Sequence, residues 1–446
     1  MKHKKLKIIT SIAVIALISI PIFLRNEKQS LEVVDVSNNM GIKTSLAYIN
    51  SEDVIYIRCR FKTAGVRCNS VGKHGISVVA SRMLFDKIHG LSRLETSEKL
   101  ADLGVCAFAR SADGEDFCFD FYVTKDTIAD ALKFLSYAFS DTNFSSSYLE
   151  HIKKIYPNIL DVETSSPHDL LLSRLWSMLY SNSTYGMNDT GSSQSISSLS
   201  IRDIQAFVRN MLRRDNLEIL FVGKISRSEI NDYVQILFAG LPETTEQKKF
   251  HPETLKADLS PEIESVISRP SLRDVVCVAT GVRIDELSDL EYAALNVIAD
   301  CIFNARIGDF SQGLHEINIV HNGYYEIICG DMSNMLFISV CLDKKDLENY
   351  RKYLYEKFAE YSQTLNLEAL GKVKDYFIKI SRNGFKSLQD LDKKIEEASR
   401  PYDEITEEIF EKVVKKLFDP SRLRTVIIGD VSSSDAANVD RPEKVL

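Results

Sequence analysis

The sequence lacks the short motifs that mark several common classes of enzyme. Its eight cysteines never occur as C-x-x-C, which argues against a zinc ribbon and against a thioredoxin-type redox site. No G-x-S-x-G elbow, phosphate-binding loop or dinucleotide-binding fingerprint is present. With one Trp and eight His scattered along the chain, spacing alone identifies no catalytic cluster.

A basic excess is also missing. The 55 Lys and Arg are outnumbered by 63 Asp and Glu, for a formal charge of −8. Nucleic-acid binding demands clustered Lys and Arg, so we expect no nucleic-acid partner. The 446 residues, 44% of them hydrophobic, suit two domains of about 200 residues each behind an N-terminal segment.

Lysines precede an apolar run at the N-terminus. Lys2, Lys4, Lys5 and Lys7 come before residues 8–24, which span roughly 26 Å at a helical rise of about 1.5 Å per residue. A charged segment followed by an apolar one is typical of a signal peptide or a membrane anchor; a buried hydrophobic helix is the alternative. We predict that residues 1–30 export the protein to the periplasm, with residues 8–24 able to anchor it to the inner membrane.

Two pairs of cysteines share one spacing. A hairpin could bring Cys106 next to Cys118, and another could bring Cys329 next to Cys341. Disulfides can form if the protein is exported. The alternative is that these are free, buried cysteines, because cysteine is among the most buried residue types.

Hydrophobic periodicity predicts strands and helices in both halves of the chain. Pro157 is expected to end the fourth helix, and Asp113-Gly114 to form the turn of the hairpin. The first half is predicted to contain strands at 41–50 and 54–61, helices at 75–85 and 92–103, a hairpin at 106–123, helices at 127–139, 146–155, 170–179 and 200–212, and a strand at 217–222. The second half is predicted to contain a strand at 275–280, a helix at 289–303, strands at 323–330 and 335–342, helices at 347–365, 367–383 and 406–417, and a strand at 424–428.

The two halves end alike. Phe221-Val-Gly-Lys-Ile225 and Val426-Ile-Ile-Gly-Asp-Val431 are both an apolar strand followed by Gly and a polar turn. This indicates duplication of one α+β unit. A polar, proline-containing stretch separates the copies. We predict domains at 38–240 and 263–435, joined by a linker at 241–262.

Residues 75–85, GISVVASRMLF, match a known peptidase helix without a gap. The segment resembles the G-L-x-H-x-x-E-H-M-L-F helix of the insulinase/pitrilysin zinc peptidases, whose two His bind zinc and whose Glu is the general base. Val78 and Arg82 stand at the His positions, and Ser81 stands at the Glu position. The order of elements over residues 38–431 also resembles this family, as does the loop Asn182-Ser-Thr-Tyr-Gly186 with the family's H-P-Y-G.

The resemblance implies two homologous α+β sandwich domains with mixed sheets that close around an extended peptide. In the family the peptide adds to a sheet edge beside the zinc. The matching edge residues are Cys106, Ala107, Phe108 and Ala109, of which Ala107 fits the family pattern and Cys106 departs from it.

The second domain of the family carries an Arg and a Tyr that hold the substrate carbonyl. Tyr324 or Tyr325 would take the Tyr role here, or be an ordinary strand aromatic. Asn318 stands where the Arg is expected.

The residues at the zinc positions cannot perform zinc chemistry. Val78 has no lone pair, the Arg82 guanidinium stays protonated and repels a cation, and Ser81 is not a base without a partner such as His. The family's third ligand, a Glu, should fall near Ile159, which is not acidic.

Other residues could in principle rebuild a metal site. His74 lies one turn before Val78, and Asp86 and His89 form a D-x-x-H pair that could bind metal weakly if both lie on one helix face. The alternative, solvated polar residues at helix ends, is favoured because no third ligand is placed by the sequence.

We therefore predict an exported, non-catalytic insulinase-family homologue that needs no cofactor and acts by binding. Its expected partner is an active homologue of the same family or a second copy of the chain, with an extended peptide as a further ligand. The alternatives are a stand-alone peptide-binding scaffold and a metalloendopeptidase with a rebuilt zinc site.

Overall fold

The structure, a computed structural model, covers most of the chain after its N-terminal segment. The predicted hydrophobic segment at 8–24 and most of the predicted linker lie outside the described residues. Within the described part, no helix is long and apolar enough to cross a membrane. The described residues are 33–431 without 50–52, 71, 87, 112–113, 141–142, 164–165, 188–189, 243–256, 286, 307, 330–333, 365 and 382–399.

Strands and helices follow one another in each half of the chain. The first half contains β1 (Val33–Asp35), β2 (Lys43–Tyr48), β3 (Val54–Phe61), α1 (Ile76–Met83), α2 (Arg93–Asp102), β4 (Val105–Ser111), β5 (Phe117–Thr124), α3 (Ile128–Ser140), α4 (Ser146–Glu163), α5 (Pro167–Leu179), α6 (Ser193–Ser197), α7 (Ile201–Met211), β6 (Leu217–Gly223) and α8 (Arg227–Phe238). The second half contains β7 (Glu264–Ser268), β8 (Val275–Arg283), α9 (Asp289–Phe303), α10 (Asp309–Glu316), β9 (Val320–Cys329), β10 (Asn334–Asp343), α11 (Leu347–Gln363), α12 (Leu367–Ser381), α13 (Glu407–Leu417) and β11 (Leu423–Gly429).

The strands form two mixed sheets with matching topology. The first has the order β1-β2-β6-β3-β5-β4, and the second has the order β7-β11-β8-β10-β9. In each sheet one pair is parallel, β2 with β6 and β7 with β11. In the first sheet the pairs β6–β3, β3–β5 and β5–β4 are antiparallel. The corresponding pairs of the second sheet, β11–β8, β8–β10 and β10–β9, are antiparallel as well. The predicted fold of two related units with mixed sheets is confirmed, and β4 and β9 occupy equivalent edge positions; the exact domain boundaries stay a prediction.

The predicted end of helix α4 was wrong. Helix α4 was expected to stop before Pro157, but it continues to Glu163. A proline inside a helix removes one backbone hydrogen bond, whereas α4 buries Ile152 and Tyr156 in the first core. Packing against the core therefore outweighs the local preference.

Five elements were not predicted at all. These are β1, α6, α8, β7 and α10. Helix α8 begins with a capping box in which the Ser226 hydroxyl accepts from the Glu229 N–H and the Glu229 carboxylate accepts from the Ser226 N–H. That signal is readable in the sequence, so this helix could have been predicted.

Helix α5 belongs to the first half of the chain but packs on the second sheet. Leu171, Leu175 and Leu179 of α5 are buried against Ala279 of β8 and Ile428 of β11. The opposite face of the same sheet packs on α9, α11 and α13. The central strands of the second sheet are consequently buried on both faces, which explains their continuous apolar runs.

Gly281 lets α5 approach β8 closely. A Cβ at this position would lie 2.8 Å from Leu175 Cδ2 and 3.1 Å from Leu179 Cδ1. The sequence predicted a strand that ends at Thr280, one residue before this glycine, and glycine is generally unfavourable inside strands. The structure shows that the strand continues to Arg283 and that the missing side chain makes room for α5.

Four stacked side chains extend this contact between the halves. The Arg67 guanidinium lies 3.6 Å from the Trp176 ring centroid, and Trp176 stacks on Tyr180 at 4.9 Å. The guanidinium of Arg283, which belongs to the second half, lies 4.9 Å from the centroid of the Tyr180 ring. The Tyr180 hydroxyl also donates to the Asn334 carbonyl at 3.0 Å. Cation–π contacts are stronger when desolvated, as they are around the buried Trp176.

The cysteine pairing differs from the proposed hairpin pairs. Cys341 forms a disulfide with Cys277, its direct neighbour across β10 and β8, where the Cα atoms are 4.3 Å apart. Cys329 instead lies opposite Asn334 in the register. Cys118 is a free cysteine whose pKa burial raises to about 11. Neighbouring strands, not hairpin length, decide which cysteines meet.

Replacing Leu175 with Ala should destabilise both halves of the protein, because the side chain is buried between them. We expect the free energy of unfolding to fall by about 2–5 kcal/mol, measured by urea unfolding. Leu94→Ala is the control; Leu94 is 68% exposed, and we expect a change within about 0.5 kcal/mol. Equal effects of the two substitutions would contradict the packing of α5 on the second sheet.

Peptide mapping without reduction should recover Cys277 linked to Cys341 from protein made in an oxidising compartment. Replacing both cysteines with Ser is expected to lower the free energy of unfolding by about 2–4 kcal/mol, since the crosslink constrains the unfolded chain. Recovery of a Cys329–Cys341 peptide would show that the assigned pairing is wrong.

Candidate functional site

Gly75 is the N-cap of helix α1, and residues of a neighbouring loop and helix lie directly against it. Gly75 has a φ of 81°, and a Cβ there would lie 2.5 Å from the Thr190 carbonyl oxygen and 2.6 Å from Ile196 Cδ1. Only glycine meets both demands at low cost. The first residue of the peptidase-like motif is therefore explained by backbone packing and not by zinc chemistry.

The last residues of the motif are core residues. Met83, Leu84 and Phe85 are all at least 95% buried. The Phe85 ring packs against Phe119 at 5.0 Å and Phe139 at 5.6 Å between centroids. Each position of the motif that this chain retains is thus a packing position in the first core.

The positions of the general base and the first ligand are occupied by side chains that cannot replace them. Val78 is half-buried and packs at the edge of the first core. Ser81 is buried, and its hydroxyl donates to the Val78 carbonyl oxygen of its own helix at 2.7 Å. The Ser81 hydroxyl hydrogen is therefore held by the backbone, and no imidazole activates it as a nucleophile.

Arg82 brings a positive charge to the position of the second ligand. It is partly exposed and makes no hydrogen bond or ion pair with any residue that the structure describes. Asp86, one helical turn further on, is buried and has Arg93 3.8 Å from its carboxylate. A guanidinium repels a divalent cation. The residues at these three motif positions therefore do not fit zinc.

The other candidate ligands do not form a metal site. Helix α1 ends at Met83, so Asp86 and His89 do not share a helix face. His89 has a φ of 54° and its exposed ring stacks on Tyr137 at 4.3 Å. Burial lowers the pKa of His74, which precedes the helix. Across the described residues, no three His, Cys, Asp or Glu side chains come close enough to share a metal ion.

The predicted third-ligand position lies on α4. Residue 159 is inside this helix, as the resemblance implied, but its side chain is outside what the structure describes. Helix α4 contacts α1, and Tyr156 donates a hydrogen bond to the Thr190 carbonyl. The scaffold that would present a third ligand is therefore in place beside α1.

The predicted peptide-binding residues Cys106, Ala107, Phe108 and Ala109 lie on β4. This strand pairs with β5 and is the edge of the first sheet. Ala107 is opposite Tyr122 and Val105 is opposite Val123, so the residue between them, Cys106, forms a bulge. Bulges next to an edge redirect the strand and are common near binding sites. A peptide at this edge stays a prediction.

The two tyrosines of β9 point to opposite faces of the second sheet. The Tyr325 hydroxyl donates to Asp300 Oδ1 at 2.9 Å on the face of the second core. Tyr324 lies on the α5 face, where its hydroxyl contacts His168 Nδ1. Of the two, Tyr324 is 38% exposed and is the one placed to meet a ligand. Asn318 is exposed before β9, with a φ of 52°.

The loop at residues 182–186 is part of the packing beneath α5. Tyr185 is buried, and its hydroxyl lies 3.9 Å from Cys68 Sγ. Burial raises the pKa of Cys68 to about 12, so this thiol is not a reactive nucleophile. The sequence did not predict that this loop packs between the two halves of the chain. The single Trp of the sequence, Trp176, lies beside the loop and was the one local indication of a buried aromatic cluster there.

Replacing Gly75 with Ala should be far more costly than replacing Arg82 with Gln. The first change forces a left-handed backbone conformation and a clash with Thr190, for an expected loss of about 1–3 kcal/mol of unfolding free energy. The second removes a charge that has no ion pair with the residues described, with an expected effect within about 0.5 kcal/mol. Thermal and urea unfolding of both variants would test this, and a large loss in the Arg82 variant would show that its charge stabilises the fold.

Comparisons with known proteins agree with this geometry. The family model described as "Peptidase M16 inactive domain" matches residues 198–380. No curated protein matches the chain. A peptidase M16 inactive domain from Pseudomonas fluorescens has a TM-score of 0.76 and 17% identity, covering 90% of this chain and 99% of its own.

Two further solved structures share the fold at low identity. A protease from Helicobacter pylori has a TM-score of 0.74 and 14% identity, covering 90% of this chain and 100% of its own. A chain of complex III2 from Candida albicans has a TM-score of 0.67 and 15% identity, covering 91% of this chain and 97% of its own. The fold, the family-model match over residues 198–380 and the motif residues of α1 agree: the chain is similar to the M16 (insulinase/pitrilysin) peptidases and to their inactive domains, and it lacks the zinc-binding residues of their motif.

Proposed function

We propose that this protein is a non-catalytic M16 subunit that acts by binding, in complex with an active zinc peptidase of the same family. The observation that carries the proposal is the state of α1. Every packing position of the motif is filled by a residue that packs, while the three positions of the chemistry hold Val78, Ser81 and Arg82. Zinc hydrolysis requires ligands with lone pairs and a base for the bound water.

An intact fold without chemistry favours a role in assembly. The two sheets retain matching topology and both cores are filled, so the chain offers the surfaces of a family member. The likeness to a chain of complex III2 supports the idea that this fold serves inside multi-subunit complexes. A second copy of this chain is the alternative partner.

Export is part of the proposal. The charged and apolar N-terminal segment supports passage to the periplasm, with residues 8–24 as a signal peptide or anchor. The Cys277–Cys341 disulfide also supports an oxidising compartment.

A second candidate function is a stand-alone scaffold that binds peptides. The open edge of β4 favours it, because an edge strand presents unpaired backbone groups to an extended chain. Such a scaffold would need no peptidase partner.

Purification of the tagged protein from its native membrane and periplasmic fractions should distinguish these functions. We expect an H-x-x-E-H homologue to be retained in a one-to-one ratio, and zinc to be found on that partner. After separation, this chain should hold less than about a tenth of an equivalent of zinc, because its pocket lacks ligands. An active homologue prepared in the same way is the control for metal loss.

Retention of no partner, with the chain alone and free of zinc, would contradict the subunit proposal and support the scaffold. A full equivalent of zinc on this chain, with hydrolysis of peptides that a chelator stops, would show that it is a metalloendopeptidase with a rebuilt site.

A further inference from the structure

The N-terminal segment joins the folded body at one end of the first sheet. Val33, the first residue of β1, lies opposite Ala47 in the antiparallel register with β2. Tyr48, the last residue of β2, follows Ala47 and lies beside Gly223, the last residue of β6. Val33, Tyr48 and Gly223 therefore define a single end of the sheet, the entry end, where the chain arrives from the apolar run.

The connection between the apolar run and the entry end is short. Residues 25–32 are all that separates the run at 8–24 from β1. An extended chain covers at most about 3.6 Å per residue, so Leu24 and Val33 are at most about 32 Å apart. A compact unit of about 200 residues has a diameter of about 40 Å. The tether is thus shorter than the unit, and the unit cannot turn its opposite side toward the point where the run ends.

The charges that flank the apolar run give its direction. Four of the residues at 2–7 are lysine, while Arg25 and Lys28 follow the run. The side of a membrane segment with more Lys and Arg stays in the cytoplasm. A membrane anchor at residues 8–24 consequently places the folded body on the periplasmic side, with the entry end next to the outer surface of the inner membrane.

The entry end exposes an aromatic side chain. Tyr48 is 50% exposed, whereas its chain neighbours Ala47 and Ile49 are buried. Tyrosine is enriched where a membrane meets water, because its ring is apolar and its hydroxyl remains hydrated. The exposed aromatic closest to the start of β1 is therefore of the type that suits a lipid headgroup region.

The described charges at the entry end are of both signs. Lys125 donates from Nζ to the Lys224 carbonyl oxygen at 2.9 Å, and from its backbone N–H to the Asp53 carbonyl oxygen at 3.1 Å. Asp126 follows in the same turn. Attraction to anionic lipids requires clustered Lys and Arg. The tether, and not surface charge, is accordingly what brings this end to the membrane.

We propose that the entry end faces the inner membrane, with Tyr48 at the level of the lipid headgroups. The proposal rests on one part of the proposed function, which is that residues 8–24 are retained as an anchor. The interaction partner is the lipid surface itself, and attachment needs no anionic lipid.

This orientation holds the opposite edge of the sheet away from the lipid. Strand β4 is separated from β1 by five strand spacings in the order of the first sheet, which is about 24 Å at about 4.8 Å per spacing. Helix α2 contacts β4 and carries Leu94, which is 68% exposed. Leu94 and Tyr48 are therefore two exposed positions at opposite edges of one sheet.

Tryptophan fluorescence of the full chain in vesicles tests the proposal. Tyr48→Trp is compared with Leu94→Trp in phosphatidylcholine vesicles, with and without bromine near the carbonyl end of the acyl chains. The signal of the wild type, whose single tryptophan is Trp176, is subtracted. We expect bromine to lower the added signal of Tyr48→Trp about twofold, because interfacial aromatic rings lie at the headgroup level.

Leu94→Trp is the matched control, and its signal should not change with bromine. Thermal unfolding of both variants checks that the fold is intact. Equal quenching of the two variants, or no quenching of Tyr48→Trp, would overturn the proposal. Recovery from cells of a chain that has lost residues 1–30 would also overturn it, since no tether would remain.

These results are independent of the subunit proposal, which depends on partner retention and zinc content. A chain whose N-terminal segment is cleaved would still be exported and could still retain its partner. Conversely, a chain that retains no peptidase partner would contradict the subunit proposal whichever end of the first sheet faced the membrane.

Discussion

The packing of α5 across the second sheet is the contact on which the arrangement of the two halves depends. The helix leaves the first half at Pro167 and buries its leucines against β8 and β11. Because both faces of the second sheet are then covered, that sheet completes its core only when the first half is present. The cation–aromatic stack from Arg67 to Arg283 and the Gly281 contact act at the same junction. The chain is thus two similar units that cannot each be fully buried alone.

This dependence explains why a peptidase-like motif can persist after its chemistry is lost. Gly75 accommodates the Thr190 loop, and Phe85 fills the aromatic cluster with Phe119 and Phe139. Substitution at either position would disturb the packing of the surrounding core, since protein interiors are close-packed. Val78 and Arg82 are only partly buried, so substitution there has a smaller effect on packing. Helix α1 therefore retains the packing residues of the motif and differs from it at the ligand positions.

Local signals were sufficient for most of the fold. The alternation of Val54–Phe61 and the capping boxes of Ser92 and Ser200 predicted elements that the structure contains, because periodicity and end-capping are properties of neighbouring residues. The capping box of α8 was equally readable and was overlooked. Pro157 misled the prediction, since its local preference is overridden by the burial of α4. The strand at Gly281 continues past its predicted end because the missing side chain makes room for α5.

The sequence by itself determined the resemblance to the insulinase/pitrilysin peptidases, the two-unit organisation and the absence of zinc ligands from the motif, since each depends on residue identities and their order. Only the tertiary structure decided that Cys341 meets Cys277 and that Tyr325 turns to Asp300 while Tyr324 stays exposed. These outcomes depend on strand register and on which face of the sheet a strand residue occupies. Such relations join residues far apart in the chain, and no local pattern encodes them.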